Sequence, residues 1–145
     1  MNEYETDLSA WAEQQAALLR RIASDERVND AQPDWLNIAE ELEAVGRSER
    51  RELRNRMERL LQHLLKWQFQ PEHRSRGWRS TIQTQRREIR SVLDDNPSLV
   101  RTLSLVVDNA YPSARIAAME ETGLLKLPET SPFDWEQALD GNLLD

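Results

Sequence analysis

The chain has 145 residues and no cysteine, which excludes disulfides and thiolate chemistry. Its hydrophobic share of 39% exceeds that of disordered chains, and its length suffices for one core, so we expect residues 1–145 to form a single domain. With 31% charged residues and only four glycines, the composition favours helices over strands. The predicted fold is an all-α, single-domain helical bundle.

The net charge of −7 combines three segments of opposite sign. Residues 1–46 carry a net charge of −8 and residues 91–145 one of −7, whereas residues 47–90 carry +8. The basic middle segment is therefore expected to meet an anionic surface: the chain's own ends, a second protein, a phosphate or a nucleic acid. The acidic start and the lack of a long apolar run predict a cytoplasmic protein that does not enter a membrane.

The first predicted helix has Thr6 or Asp7 as its cap and ends near Asp25, where a polar connector to Pro33 begins. Its apolar residues recur at intervals of three and four: Leu8, Trp11, Leu18, Leu19 and Ile22. Recurrence at these intervals is typical of an amphipathic helix.

The longest predicted helix follows an N-cap at Asp34 and runs from Trp35 to about Phe69, because Pro71 stops it. Helical periodicity of about 100° per residue places its apolar residues on one arc on both sides of Gly46, which predicts a continuous helix. A kink at Gly46 is the alternative. The arc comprises Trp35, Ile38, Leu42, Val45, Leu53, Met57, Leu60, Leu64 and Trp67.

Two further helices follow. The third is predicted to begin near Ser75 and to end at the Asp94-Asp95-Asn96-Pro97 turn. The fourth takes Asn96 as its cap and Pro97 as its first residue and reaches Thr122, with Gly123 in the left-handed terminating position. Pro112 removes a backbone donor inside it, and Ala110, Ala114, Ala117 and Ala118 allow a neighbouring helix to approach closely, so a kink is expected around Tyr111.

A short last helix is predicted to start at Ser131-Pro132-Phe133-Asp134, with a capping serine and a proline at the first position. Trp135 and Leu139 are expected to anchor it.

Glu49, Arg56 and His63 follow one another at intervals of seven along the apolar arc of the long helix. One interpretation is a catalytic cluster in which a carboxylate and a guanidinium position an imidazole for proton transfer. The other, which we favour, is that each residue pairs with charges nearby, because successive members lie about 10.5 Å apart along the helix axis.

Metal and nucleic-acid sites are both disfavoured. The only histidines, His63 and His73, lack the spacing of metal ligands, and Glu40 and Glu43 are typical of a solvated acidic face, so we predict no metal and no cofactor. Residues 66–79 interleave aromatic and basic side chains, as single-stranded nucleic-acid binders do. However, Trp67 and Trp78 lie on apolar arcs, and the acidity of the remaining chain opposes attraction to phosphates.

Arg74, Arg76 and Arg79 cluster at the predicted start of the third helix, where the helix dipole disfavours cations. An anion is expected to compensate them. Either the chain supplies it, through the acidic C-terminal tail or through Glu40, Glu41 and Glu43, or a phosphate-like anion binds at the helix N-terminus. We favour the first alternative.

Six stretches of the chain are distinctive together: Ile38-Ala39-Glu40-Glu41-Leu42-Glu43, Gly46-Arg47-Ser48-Glu49-Arg50-Arg51, His63-Leu64-Leu65-Lys66-Trp67-Gln68, Arg74-Ser75 with Trp78, Ala110-Tyr111, and Glu121-Thr122-Gly123-Leu124. In order and spacing they resemble the domain of unknown function 29 family of bacterial proteins, and the similarity covers nearly the whole chain. The resemblance implies a compact all-helical domain, and it supplies no activity, because the family has none assigned.

We therefore expect a non-enzymatic helical module whose basic face binds a protein partner or a second copy of the chain. The alternative is a small enzyme or phosphate-binding protein. It would use the polar stripe, formed by Glu49, Arg56 and His63, and the arginine cluster, formed by Arg74, Arg76 and Arg79. An enzyme requires a concave site in which these groups converge.

Overall fold

The computed structural model describes residues 3–24 and 33–143, and these two ranges contain six α-helices and no strand. This confirms the predicted all-α fold. The helices are α1 (Glu3–Thr6), α2 (Leu8–Ser24), α3 (Trp35–Phe69), α4 (Arg76–Asp95), α5 (Leu103–Thr122) and α6 (Trp135–Asp140). Two 3₁₀ turns, Pro71–His73 and Pro97–Thr102, precede α4 and α5.

The long helix α3 has the predicted limits and forms the centre of the bundle, because α2, α4 and α5 all pack against it. Asp34 caps its first turn by accepting a hydrogen bond from the Asn37 backbone N at 3.3 Å. The helix continues through Gly46, as predicted, and ends before Pro71. The predicted connector lies mostly in residues 25–32, outside the described ranges.

The hydrophobic core surrounds only the C-terminal half of α3. Its members from α3 begin at Leu53 and end at Trp67, and α4, α5 and α6 cover them. The residues of the predicted arc that precede Gly46 do not belong to this core. Ile38 is 39% exposed, and Trp35, Leu42 and Val45 are only half-buried. In the described residues, the large core therefore includes α3 only from Leu53 onwards.

Helix α2 packs against α3, and in the stretch of α3 before Leu53 the buried positions on both helices are small residues. Ala12 and Ala16 of α2 and Ala39 and Gly46 of α3 are buried. Of the periodic apolar residues of α2, Leu8, Trp11 and Leu19 are half-buried, whereas Leu18 and Ile22 are each nearly half exposed, at 46% and 45%. Small residues let two helices approach closely, so the face with the least volume becomes the interface.

Helix starts differ from the sequence-based assignment at two places. Residues 97–102 form a 3₁₀ turn and α5 begins at Leu103, because the Asn96 side chain is bonded elsewhere and does not cap this segment. The last helix begins at Trp135, not at Pro132: Asp134 caps it in a capping box with Gln137, while the Ser131 hydroxyl bonds within its own turn to Phe133.

The other helix ends agree with the prediction. Asp7 caps α2, accepting a hydrogen bond from the Ala10 backbone N at 2.9 Å, and Ser75 caps α4, accepting one from the Trp78 backbone N at 3.1 Å. Helix α5 passes through Pro112 and ends at Gly123, whose φ of 74° is left-handed. The kink around Tyr111 stays a prediction.

Candidate functional site

A buried asparagine, Asn96, joins the helices α2, α3 and α4 through hydrogen bonds. Asn96 is fully buried. Its Nδ2 donates to Glu49 Oε2 on α3 at 2.7 Å and to the Val92 carbonyl of α4 at 2.9 Å, while its Oδ1 accepts from the Ser9 backbone N of α2 at 2.8 Å. Since both polar ends of the amide are bonded, this side chain fixes the relative positions of α2, α3 and α4.

Asp7 extends this cluster to the turn before α5. Its carboxylate accepts hydrogen bonds from the Ser98 backbone N and, at 3.0 Å, from the Ser98 hydroxyl, and it also caps α2. Burial raises the pKa of Asp7, but the hydrogen bonds from Ala10, Ser98 and Ser9 together outweigh burial, so the pKa lies below its ordinary value. Asp7 is therefore a charged structural anchor at neutral pH.

The three residues of the polar stripe have three separate environments. Glu49 bonds to Asn96, Arg56 lies 3.7 Å from Glu52, and the His63 Nδ1 lies 3.0 Å from the Arg59 carbonyl oxygen. Burial lowers the pKa of His63, and the charges of Lys66 and Arg59 act in the same direction. A neutral His63 donates Nδ1–H to that carbonyl. The stripe thus does not assemble a catalytic group, and the enzyme alternative gains no support.

Arg56 and Glu52 are expected to be energetically almost independent. Their guanidinium and carboxylate are 36% and 45% exposed, respectively. Exposed pairs one helical turn apart contribute about 0.3–0.5 kcal/mol. A double-mutant cycle with Arg56→Gln and Glu52→Gln, followed by urea unfolding, is expected to give a coupling energy below about 0.5 kcal/mol. A larger coupling would mean that the pair is buried in solution.

The acidic ends of the chain neutralise part of the basic middle segment. Lys66, whose side chain is only 8% exposed, pairs with Glu121 and lies 4.9 Å from the Trp78 ring centroid. Its hydrogen bond lowers the pKa of Glu121, against the smaller effect of burial. Arg50 pairs with Glu13 of α2. These contacts support the expectation that the chain supplies some of its own counter-charges.

The C-terminal helix α6 is held by two arginines of α4. Arg86 Nε donates to the Ala138 carbonyl at 2.8 Å, and Arg90 donates to the Leu139 carbonyl at 2.8 Å and pairs with Asp140. Cations at the last carbonyls of a helix interact favourably with its dipole. These two arginines therefore act in docking α6.

Glu40 and Glu43 belong to an ion-pair network on α2 and α3. Arg20 pairs with both carboxylates, and Arg47 lies 3.0 Å from Glu40 and 3.7 Å from Glu43. These two glutamates accordingly face Arg20 and Arg47, not the start of α4. In residues 3–24 and 33–143, no three histidine or acidic side chains come together in a way that could hold a metal ion.

The predicted arginine cluster does come together, around a tryptophan. Arg74, Arg76 and Arg79 line an open pocket of about 540 Å³ together with Trp67 and Ser75. The guanidinium carbons of Arg74 and Arg79 lie 4.9 and 5.2 Å from the Trp67 ring centroid, and Arg74 Nε donates to the Trp67 carbonyl at 2.8 Å. Cation–π contacts thus account for part of this clustering. Anion binding here stays a prediction.

Phosphate is expected to raise the thermal midpoint of the protein more than chloride does at matched ionic strength, because an anion relieves cations placed at a helix N-terminus. Phosphate also stabilises proteins by exclusion from their surfaces. The decisive control is therefore Arg74→Gln/Arg76→Gln/Arg79→Gln, measured by differential scanning calorimetry. An equal gain in this variant would show that the cluster holds no anion.

A second basic surface, with four arginines, lies near the middle of α3. Arg47, Arg50, Arg51 and Arg54 line a groove of about 390 Å³ between α3 and α5. Its apolar part consists of Leu53, Leu105 and Val106. Leu105 is 61% exposed, a large value for a leucine beside a groove. We call these four arginines and Leu105 the arginine groove.

In the part of the chain that the structure describes, two arginines of the groove have carboxylate partners and two do not. Arg47 and Arg50 pair with acidic residues, as described above. Within the described ranges, Arg51 and Arg54 form no salt bridge. Sequence analysis identified the basic segment but missed this groove. The signal was present, since the four positions follow the i, i+3, i+4, i+7 spacing of one helical face.

Comparisons with known proteins agree with the fold. The crystal structure of an alpha-helical protein of unknown function from Rhodospirillum rubrum superimposes with a TM-score of 0.74 and 27% sequence identity, over 99% of this chain and 92% of the other. No curated protein gives a significant match. No helix in the described ranges is long and apolar enough to cross a membrane. A family model matches residues 3–144, and the chain therefore belongs to the family Domain of unknown function DUF29.

Proposed function

We propose that this protein is a non-enzymatic interaction module that binds an acidic, amphipathic segment of a protein partner in the arginine groove. The observation that carries the proposal is the composition of the groove: guanidinium groups on one helical face flank the exposed Leu105 and the half-buried Val106. Arginine beside exposed apolar surface is typical of protein interfaces. The proposed setting is the cytoplasm of a bacterium, in keeping with the bacterial source of the structural relative.

Charge and apolar contact have separate roles in this proposal. Arg51 and Arg54 attract carboxylates of the partner and thereby increase the rate of association. Leu105 offers a side chain that an apolar residue of the partner covers, which removes its surface from water. An acidic helix with leucines on one face meets both requirements.

A synthetic, fluorescently labelled helical peptide with glutamates on one face and leucines on the other tests the proposal. Fluorescence anisotropy is expected to show salt-dependent binding to the wild type. Arg51→Gln/Arg54→Gln is expected to weaken it by about ten-fold or more. Leu105→Ser is expected to weaken it with an unchanged salt dependence, since no charge is removed.

The matched control is Arg87→Gln/Arg101→Gln, which removes the same charge from two exposed positions outside the groove. Binding by this control is expected to stay within about two-fold of the wild type. An equal loss in both double variants would reduce the effect to general electrostatic attraction and contradict the proposal. A second copy of the chain in the groove is a further outcome, and sedimentation at low salt detects it as self-association.

A further inference from the structure

Helices α2 and α3 lie antiparallel, and one side of this helix pair is charged. Arg20, near the end of α2, pairs with Glu43 of α3, and Glu13, nearer the start of α2, pairs with Arg50, further along α3. Helical periodicity places these four residues on the same side of the small buried residues that separate the two helix axes. The charged groups on this side are therefore already paired within the chain.

The opposite side of the helix pair is apolar. Helical periodicity places five apolar residues there, namely Leu18 and Ile22 of α2 and Ile38, Leu42 and Val45 of α3. Leu18, Ile22 and Ile38 are between 39% and 46% exposed. Contiguous exposed apolar patches of more than a few hundred Å² are rare on monomeric proteins and mark interaction surfaces. We call these five residues the hairpin face.

The hairpin face continues the surface on which α4 packs. Helix α4 ends at Asp95, and the next residue, Asn96, bonds to Glu49 of α3. Glu49 lies on the same side of α3 as the hairpin face, which occupies the preceding turns of that helix. A layer of two helices buries an apolar side only when a second layer of structure packs on it. The hairpin face therefore calls for a second layer beyond the end of α4.

Two charges of opposite sign border the hairpin face. Arg21 lies at its α2 edge and Glu41 at its α3 edge, both side chains are exposed, and neither forms an ion pair within residues 3–24 and 33–143. Arg20 contacts Glu40 and Glu43, so their neighbours Arg21 and Glu41 lie at nearly the same level along the two helices. Each of the two lies on the side of its helix that faces away from the other helix, so they do not meet within one chain.

We infer that a second copy of this chain covers the hairpin face, so that two α2–α3 pairs form a four-helix bundle in a symmetric dimer. A two-fold axis parallel to the helices places α2 of one protomer on α3 of its partner. Ile22 then packs against the partner's Ile38, and Arg21 pairs with the partner's Glu41 at both edges of the interface. A membrane fits this border less well, because an anionic lipid surface attracts Arg21 but repels Glu41.

Sedimentation velocity of the full chain in about 0.5 M NaCl tests the inference, because salt screens charges but not apolar contacts. A dimer is expected at a chain concentration of about 100 µM. Ile22→Ser/Ile38→Ser is expected to raise the dissociation constant of the dimer at least about ten-fold. The matched control is Ile116→Ser/Leu125→Ser, which replaces two exposed apolar side chains outside the hairpin face and is expected to remain dimeric. Circular dichroism checks that both variants stay helical.

Charge reversal tests the symmetric pairing at the border. At about 0.1 M salt, Arg21→Glu and Glu41→Arg are each expected to weaken the dimer at least about three-fold, because like charges then meet at both edges. The double variant is expected to regain the wild-type dissociation constant within about two-fold. Since Arg21 and Glu41 lie at opposite edges of one chain, this recovery arises only between two chains.

Four results would overturn the inference. They are a chain that stays monomeric up to about 500 µM, a dimer that Ile22→Ser/Ile38→Ser leaves intact, charge reversal without recovery, and self-association that Arg51→Gln/Arg54→Gln abolishes. The last result would place the contact in the arginine groove, which lies on the charged side of α3. A monomer that binds vesicles of phosphatidylcholine and phosphatidylserine through Ile22 and Ile38 would assign the hairpin face to a membrane surface and equally contradict the dimer.

Discussion

Trp67→Ala is expected to lower the free energy of unfolding by about 3–5 kcal/mol, as for other buried large aromatic residues. Trp67 is 6% exposed and belongs to the core that α3 shares with α4 and α5. The substitution removes the apolar contacts of the indole ring, leaves a cavity, and deprives Arg74 and Arg79 of the aromatic face beside them. Urea unfolding monitored by circular dichroism measures the effect.

Trp35→Ala is the matched control, because it makes the same change on the same helix in the half that the core does not reach. Trp35 is half-buried. We expect a loss of only about 1 kcal/mol there, in proportion to the smaller area removed from water. Comparable losses at both positions would contradict the division of α3 into a half that belongs to the core cluster and a half that does not.

Helical periodicity predicted the course of α3 well because it depends on local chemistry. Asp34 and Pro71 mark the ends of the helix, and the phase of the apolar residues is continuous through Gly46. Periodicity does not show how many helices cover a face. Ile38 lies on the same arc as Leu60 yet is 39% exposed, and among the described residues the members of the core cluster from α3 begin only at Leu53.

The sequence pattern did not predict which face of α2 packs against α3, for a related reason. The large apolar residues of α2 suggested one inward face, but burial follows the face that allows the closest approach to α3. That face contains Ala12 and Ala16. A sequence pattern ranks faces by hydrophobicity, whereas packing also depends on the volume available between two helix axes.

The candidate sites also include some features that local sequence predicted and others that depend on residues distant in sequence. The clustering of Arg74, Arg76 and Arg79 follows from their closeness along one helix start, so the sequence predicted it. No local pattern predicted that the side-chain oxygen of Gln85 has no partner among the described residues, because this depends on which residues of α3 lie opposite α4. Asn96 was expected to cap a helix, yet its partners are Ser9 and Glu49, distant in sequence.

Asn96→Asp is expected to destabilise the protein by about 3 kcal/mol at pH 7, although the two side chains have almost the same shape. The new oxygen cannot donate to Glu49 or to the Val92 carbonyl, and both of these groups repel a carboxylate. Repulsion and burial raise the folded-state pKa of the introduced carboxyl above its unfolded value. The difference from the wild type is therefore largest above the folded-state pKa and shrinks as the pH falls from 7 towards 4.5.

Glu49→Gln provides the rescue for this substitution. Alone, it is expected to cost less than about 1 kcal/mol, because the amide oxygen still accepts from Asn96. Combined with Asn96→Asp, its amide nitrogen donates to the introduced carboxylate, so the double variant is expected to be more stable than Asn96→Asp alone by about 1–2 kcal/mol. Urea unfolding of the wild type, the two single variants and the double variant, at pH 7 and at pH 4.5, completes this double-mutant cycle. Additive effects would show that Asn96 and Glu49 are not in contact, and the amide would then join α2 to α4 through Ser9 and Val92 without fixing α3.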